Sequence, residues 1–243
     1  MTVERIKRAI IVAAGEGKRL RPVSLLMPKP LVAVNGVRMI ETSIRALKAN
    51  GIHEIYIVAG YKKEQFFQFF QDDPDIRVLE NTRYLEGNNI TSLYAAKDYL
   101  PGSFVIEGDL IISNPEIFDP EVEKSGYCAT YMEHSPEWSL EVRDGTICRY
   151  SLGEGENCYR LWGISMWKEK DGEILSELVR KQVEEVRDLS VYWDEIALSQ
   201  SRKLFDLGIR EIGGNDIVEI DTFDELAEMD PSYKSYRPQT PVS

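Results

Sequence analysis

A short apolar run that ends in a cation-bearing glycine loop constrains this chain more than any other feature. Ala9-Ile10-Ile11-Val12 suits a buried parallel strand, and it passes directly into Ala13-Ala14-Gly15-Glu16-Gly17-Lys18-Arg19-Leu20-Arg21-Pro22, with Lys29 following in Met27-Pro28-Lys29-Pro30-Leu31. Glycines at 15 and 17 permit positive φ and close backbone approach, so successive N–H groups and the Lys18, Arg19 and Arg21 side chains can converge on phosphate oxygens. Lys29 adds a compact point charge. The stretch reads as a phosphate-binding loop, and two familiar alternatives fail: there is no GxxxxGK[ST], and the third glycine of GxGxxG is missing.

A net charge of −12, from 41 acidic and 29 basic residues, argues against a nucleic-acid surface or an anionic membrane as partner. The cations gathered near the N-terminus of so acidic a chain therefore mark one local anion site. About six apolar residues precede Gly15, too few for the apolar region of a signal peptide, and no long apolar span follows, so a cytoplasmic protein is expected. Three cysteines, Cys128, Cys148 and Cys158, without CxxC spacing, suggest neither a disulfide framework nor a zinc site.

Along the chain, a helix over 41–49 closed by Asn50-Gly51 and a strand at Ile55–Val58 complete a βαβ unit, and Gly60-Tyr61 follows at that strand's C-terminal end, where open parallel sheets bind ligands. Phe66, Phe67, Phe69 and Phe70 read as a core-facing aromatic helix, and 76–81 as a third strand. Gly87-Asn88-Asn89-Ile90-Thr91-Ser92 starts a helix expected to reach Tyr99, either as a plain capped start or with polar groups turned to a ligand. Strand 104–111 carries Asp109 after a glycine at the sheet's carboxyl edge, a position that suits magnesium, while Glu107 is either a supporting carboxylate or a solvated one.

From Cys128 the pattern alternates as antiparallel strands do, with Asp144-Gly145 as a hairpin turn, a longer strand at 160–167, an amphipathic helix over 172–185, and a strand region at 204–211. Trp138 beside Glu137, and Tyr192-Trp193 beside Asp194-Glu195, suit a cationic head group, with Trp138 and Tyr192 as aromatic faces and Asp194 as charge partner. Val218–Asp221 ends a strand in a second aspartate, and Thr222-x-x-Glu225 is a capping box for the helix after it. Asp109 and Asp221 make a plausible pair of Mg²⁺ ligands. The fold class is α/β: a Rossmann-like mixed, mainly parallel sheet flanked by helices, with a smaller antiparallel elaboration. Residues 1–230 are read as one domain, divided into halves 7–125 and 126–230, and 231–243 as a linker-like tail.

The N-terminal segment resembles the sugar-phosphate nucleotidyltransferase superfamily, whose signature is a strand, A-A-G-x-G-x-R-L-x-P and P-K-x-L; Arg19 and Lys29 take the signature arginine and lysine. Within it, Gly87–Tyr94, Tyr192-Trp193-Asp194 and Val218–Asp221 look like segments of the small bacterial phosphocholine cytidylyltransferases, in the same order. The resemblance implies transfer of CMP from CTP to phosphocholine by Mg²⁺-dependent in-line attack, with Arg19 and Lys29 catalytic. It further implies that Ala13, Ala14, Gly15, Glu16, Gly17 and Lys18 contact the nucleotide, with Gly60, Tyr61, Asn88, Asn89 and Ser92 near its base or ribose. On this reading Trp138, Tyr192 and Asp194 bind the acceptor, and Asp109 and Asp221 bind metal. 2-Aminoethylphosphonate is the nearest alternative acceptor, since Glu133, Glu137, Asp194 and Glu195 could serve a primary amine. A sugar-1-phosphate enzyme and a non-catalytic nucleotide-binding module rank lower. Some relatives carry a further catalytic domain C-terminal to this region.

Overall fold

The structure, a computed structural model, describes residues 2–236. Its framework is a nine-stranded sheet. In chain order the elements are β1 (Arg8–Ala13), α1 (Met39–Ala49), β2 (Glu54–Ala59), α2 (Lys63–Phe70), β3 (Ile76–Glu80), α3 (Ile90–Ala95), β4 (Ser103–Glu107) and β5 (Leu110–Ile112). They continue as β6 (Gly126–Ser135), β7 (Ser139–Arg143), β8 (Thr146–Ser151), β9 (Gly155–Trp167), α4 (Glu169–Lys181), α5 (Trp193–Leu198), β10 (Gly208–Glu211), β11 (Ile217–Glu219) and α6 (Phe223–Met229).

Parallel pairing joins β4, β1, β2 and β3, which is why these strands are apolar on both faces: Ala9, Ile10, Ile11, Ile57 and Val58 are fully buried. One face packs on α1 and α2 through Ile40, Leu47 and Phe66, the other on α3, α4 and α5 through Leu93, Leu175 and Trp193. Strand β9 makes the transition to the second half. Its C-terminal part pairs antiparallel with β4, its N-terminal part with β7, and its other edge with β6. The sheet therefore continues from the first half into the second, as a mixed sheet with an antiparallel extension. The Asp144-Gly145 turn between β7 and β8 has φ of 50° and 71°, both left-handed, as a two-residue hairpin requires.

Several expectations change at the level of single elements. Phe66 and Phe70, four residues apart, are buried, whereas Phe67 and Phe69 are exposed, because an eight-residue helix lying on a sheet hides only one stripe. The helix expected to reach Tyr99 stops at Ala95 and continues as a 3₁₀ turn, which places the Tyr99 ring on that of Tyr56 at 3.8 Å. Residues 204–207 form no strand: the backbone turns there, with Arg202 N donating to Phe205 O and Phe205 making an isolated bridge to Ser201, and the strand is Gly208–Glu211. Of the tail expected to be linker-like, Pro231–Tyr236 forms a 3₁₀ helix, pinned by the Tyr233 hydroxyl donating to Ala33 O at 2.7 Å. Residues 237–243 lie outside the described residues.

Distant segments meet through a smaller apolar cluster. Leu20 and Val23 from the loop region, Val32 and Met39 ahead of and within α1, and Ile220, Phe223 and Leu226 around α6 pack together. Antiparallel pairing of β11 with β5 adds to this, so the end of β11 is delivered to the turn between β4 and β5. Asp221 and Asp109 are thereby brought to the same place.

Candidate active site

A cavity of about 650 Å³ opens at the carboxyl ends of β1 and β4, where an open parallel sheet leaves room for a ligand. The cation-bearing loop forms one end. Gly17 has φ 58°, and a Cβ there would stand 3.0 Å from Lys29 Cβ, so the loop folds closely over the lysine only because residue 17 is glycine. Ala13, Gly15, Glu16, Gly17, Lys18, Arg19 and Lys29 line this end, Lys18 paired with Glu16 at 2.7 Å. Arg21 does not line it and is exposed.

The centre of the cavity holds the aspartates. Lys29 Nζ donates to Asp109 Oδ2 at 2.7 Å and to Asp221 Oδ1 at 3.0 Å, and Arg19 Nη2 donates to the same Asp221 oxygen at 2.8 Å. Burial acts to lower the pKa of the Lys29 ammonium, but the charges of Asp109 and Asp221 and their hydrogen bonds outweigh it and hold the pKa above its ordinary value. Two further carboxyls crowd this region. Glu107 is driven well above the usual carboxylate range by burial and then by Asp109, Asp194 and Glu219. Glu219 is pushed to about 7 by burial and by Asp109 and Asp221. Asp109 and Asp221 are the two carboxylates brought together at the Lys29 ammonium, and no group of three or more His, Cys, Asp or Glu side chains among the described residues is gathered to hold a metal ion.

At the far end the Trp138 and Tyr192 rings meet edge to face with centroids 5.1 Å apart, beside Asp194 and Glu137. Asp194 is buried, its Oδ1 has no hydrogen-bond partner, and burial raises its pKa to about 8. Glu195 is occupied elsewhere, its Oε1 accepting from Tyr192 N at the start of α5, while Glu133 is not among the cavity-lining residues. Trp193, as the bulkier neighbour, goes into the core and stacks on Tyr127.

The residues expected at the base or ribose divide into wall and support. Asn88 lines the cavity. Asn89 Oδ1 accepts from Trp193 N at 3.0 Å and its Nδ2 approaches Glu107 at 3.5 Å, tying the acidic centre to the segment that carries Tyr192 and Asp194. Ser92 is buried, its hydroxyl accepting from Asn81 Nδ2 at 3.0 Å, and it does not reach the cavity. Ala14, Gly60 and Tyr61 lie behind the loop: Tyr61 N donates to Ala14 O, its hydroxyl donates to Ser24 O, and a Cβ on Gly60 would collide with the Tyr84 ring. These groups brace the loop from outside the cavity.

Sequence reasoning passed over Arg160 and the role of Glu219. Both line the cavity, and Arg160 Nη2 donates to Glu219 Oε2 at 3.1 Å. A charged residue at the head of the apolar run Leu161-Trp162-Gly163-Ile164 was the available signal for Arg160. The partial enclosure of Glu107 was also unreadable, since it depends on β9: a Cβ on Gly163 would meet the Glu107 carboxyl.

Residues 8–132, which hold the loop, Lys29, Asn88 and Asp109, match the Nucleotidyl transferase family. The chain belongs to that family. Full-length similarity extends to two kinds of relative. A 2-aminoethylphosphonate cytidylyltransferase of Lancefieldella rimae is 38% identical, covering 93% of this chain and 92% of that protein. A choline-phosphate cytidylyltransferase of Streptococcus pneumoniae is 32% identical, covering 94% and 99%. The solved structure of the CTP:phosphocholine cytidylyltransferase from Streptococcus pneumoniae shares the fold with a TM-score of 0.84, covering 94% of this chain and 99% of that one at 32% identity. An inositol-1-phosphate CTP transferase from T. maritima, 16% identical with a TM-score of 0.70, shares the fold alone. In this nucleotidyl transferase the far end of the cavity, with Trp138, Arg160, Tyr192 and Asp194, lies beyond the matched family segment. No helix among the described residues is long and apolar enough to cross a membrane.

Proposed function

We propose that this nucleotidyl transferase moves CMP from CTP to a phosphorylated or phosphonylated amino alcohol or amine, releasing pyrophosphate, and that 2-aminoethylphosphonate is the preferred acceptor. The observation that carries the reading is one cavity with cations at one end, paired aspartates in the middle and an aromatic-acidic pocket at the other. An acceptor oxygen attacks the α-phosphorus of CTP, the new O–P bond forms as the bond to the bridging oxygen breaks, and pyrophosphate carries away the electron pair. A phosphonate or phosphate is already ionised near neutral pH, so no protein base is required. The work left to the chain is positioning and charge neutralisation, in which Lys29 and Arg19 face the developing negative charge. Asp109 and Asp221 would hold Mg²⁺, which when bound supplies positive charge to the phosphates. Two carboxylates suffice for this ion, which takes its remaining oxygens from phosphates and water.

Asp194 favours the primary amine. A buried carboxyl with an oxygen lacking any donor is better satisfied by an ammonium that carries N–H groups than by a quaternary one that has none. The greater identity to the 2-aminoethylphosphonate enzyme points the same way. Phosphocholine, favoured from sequence, is the second reading and draws on the Trp138–Tyr192 pair, since a methylated ammonium is held by ring faces. Comparing kcat/KM for the two acceptors at fixed CTP separates the readings: a ratio above ten for 2-aminoethylphosphonate is expected, and the reverse ratio restores phosphocholine.

A further inference from the structure

Arg160 lines the same cavity as Trp138, Tyr192 and Asp194, and what is inferred of it rests on the reading of that cavity as a CMP-transfer site. The loop cations Lys18, Arg19 and Lys29 belong to the triphosphate end, yet an acceptor brings an anion of its own, tethered by a short carbon chain to its ammonium. A cation is therefore needed between the aromatic-acidic pocket and the aspartates. Among the described lining residues, Arg160 is the cation that the loop does not supply. It lies on β9 directly across from Ser139 of β7, and Leu161 N donates to Trp138 O at 2.9 Å, which fixes the backbone of Arg160 next to the segment that carries Trp138. On its other side Nη2 reaches Glu219, two residues before Asp221.

The group is also held for recognition. Its guanidinium lies over the Trp162 ring, 4.1 Å from the centroid, and the Trp162 Nε1 donates to Thr130 Oγ1 at 2.9 Å, so the platform under the arginine is itself fixed. Arginine offers five N–H donors in a rigid fork. The Glu219 bond engages Nη2, while the buried Nε has no partner. From this arrangement we infer that Arg160 binds the phosphonate or phosphate group of the acceptor through its guanidinium and orients the attacking oxygen toward the α-phosphorus. The same chemistry serves either acceptor. What it fixes is the distance between anion and ammonium, and hence the length of carbon chain the site admits.

Steady-state kinetics of Arg160→Lys and Arg160→Gln, with the acceptor and CTP varied separately, test this. KM for the acceptor should rise at least tenfold in Arg160→Lys, which keeps the charge but loses the fork, and further in Arg160→Gln, while KM for CTP changes less than twofold. Ethylphosphonate, which has the anion and lacks the amine, should inhibit the wild type competitively against the acceptor and lose that inhibition at least tenfold in both variants. An unchanged acceptor KM, or a rise in KM for CTP instead, would overturn the assignment. Should the wild type release no pyrophosphate with any aminoalkyl acceptor, the transfer reading itself fails; binding of ethylphosphonate measured by calorimetry, present in the wild type and weakened in Arg160→Lys, would still decide the role of Arg160.

Discussion

Lys29 Nζ lies 3.0 Å from Asp221 Oδ1 across 192 residues of chain, and the same ammonium is 2.7 Å from Asp109. One lysine thus joins the loop after β1, the turn after β4 and the end of β11. Replacing it by alanine is expected to lower kcat by roughly 10²–10³, the effect of deleting one preorganised charge stabiliser. The variant also carries a stability cost, because it leaves two facing carboxylates without their shared cation. They are about a quarter exposed, so the loss should be moderate, on the order of 1–3 kcal/mol. Thermal denaturation with and without Mg²⁺ checks this: the ion should recover more Tm in Lys29→Ala than in the wild type.

Asp194 makes the protein pH-sensitive. Its folded pKa of about 8 stands above the ordinary 3.8, so the folded chain keeps a proton that the unfolded chain releases. The resulting stability is fully present below about pH 4 and is lost as pH rises through about 8. Asp194→Asn should match the wild type at pH 4 and exceed it in Tm at pH 8. Acceptor binding should show the opposite slope, since a cationic amine favours the carboxylate: KM for the acceptor falls as pH rises toward 8 in the wild type and stays flat in Asp194→Asn.

The aromatic pair gives a different signature. Trp138→Ala and Tyr192→Ala should raise the acceptor KM with that for CTP unchanged, each ring contributing ~0.5–2 kcal/mol to holding a cation. Both variants should penalise phosphocholine more than 2-aminoethylphosphonate, as kinetics with the two acceptors in parallel will reveal.

Ser92 provides a contrast, because its hydroxyl belongs to the support of α3. Ser92→Ala removes one of two bonds from Asn81 Nδ2, the other going to Thr91 Oγ1, and should cost ~1 kcal/mol in chemical denaturation with KM for CTP unaffected.

Local features were readable where local chemistry determines them. The strand–glycine–cation order, the Asp144-Gly145 turn and the Thr222–Glu225 capping box each depend on a few neighbouring residues, and each appears in the structure as expected. The convergence of Asp109 with Asp221 was anticipated as a pairing of strand ends, though its cause, β11 pairing with β5, is a long-range contact. What sequence could not deliver depends on packing at a distance. Asn89 and Ser92 lie within one turn at the start of α3, yet one braces the Tyr192 segment while the other faces Asn81, and nothing in their spacing distinguishes them. Arg160 was read only as part of strand 160–167, because its partner Glu219 comes from a segment 59 residues away.

The central claim is that this one cavity transfers CMP to an aminoalkyl acceptor. Its most direct test is pyrophosphate release by the wild-type protein with Mg²⁺, each of the four ribonucleoside triphosphates, and 2-aminoethylphosphonate, phosphocholine or glucose-1-phosphate as acceptor. Release with CTP and an aminoalkyl acceptor, abolished by EDTA and by Asp221→Asn, is the predicted result. Release with glucose-1-phosphate alone, or none with CTP and either aminoalkyl acceptor, would contradict it.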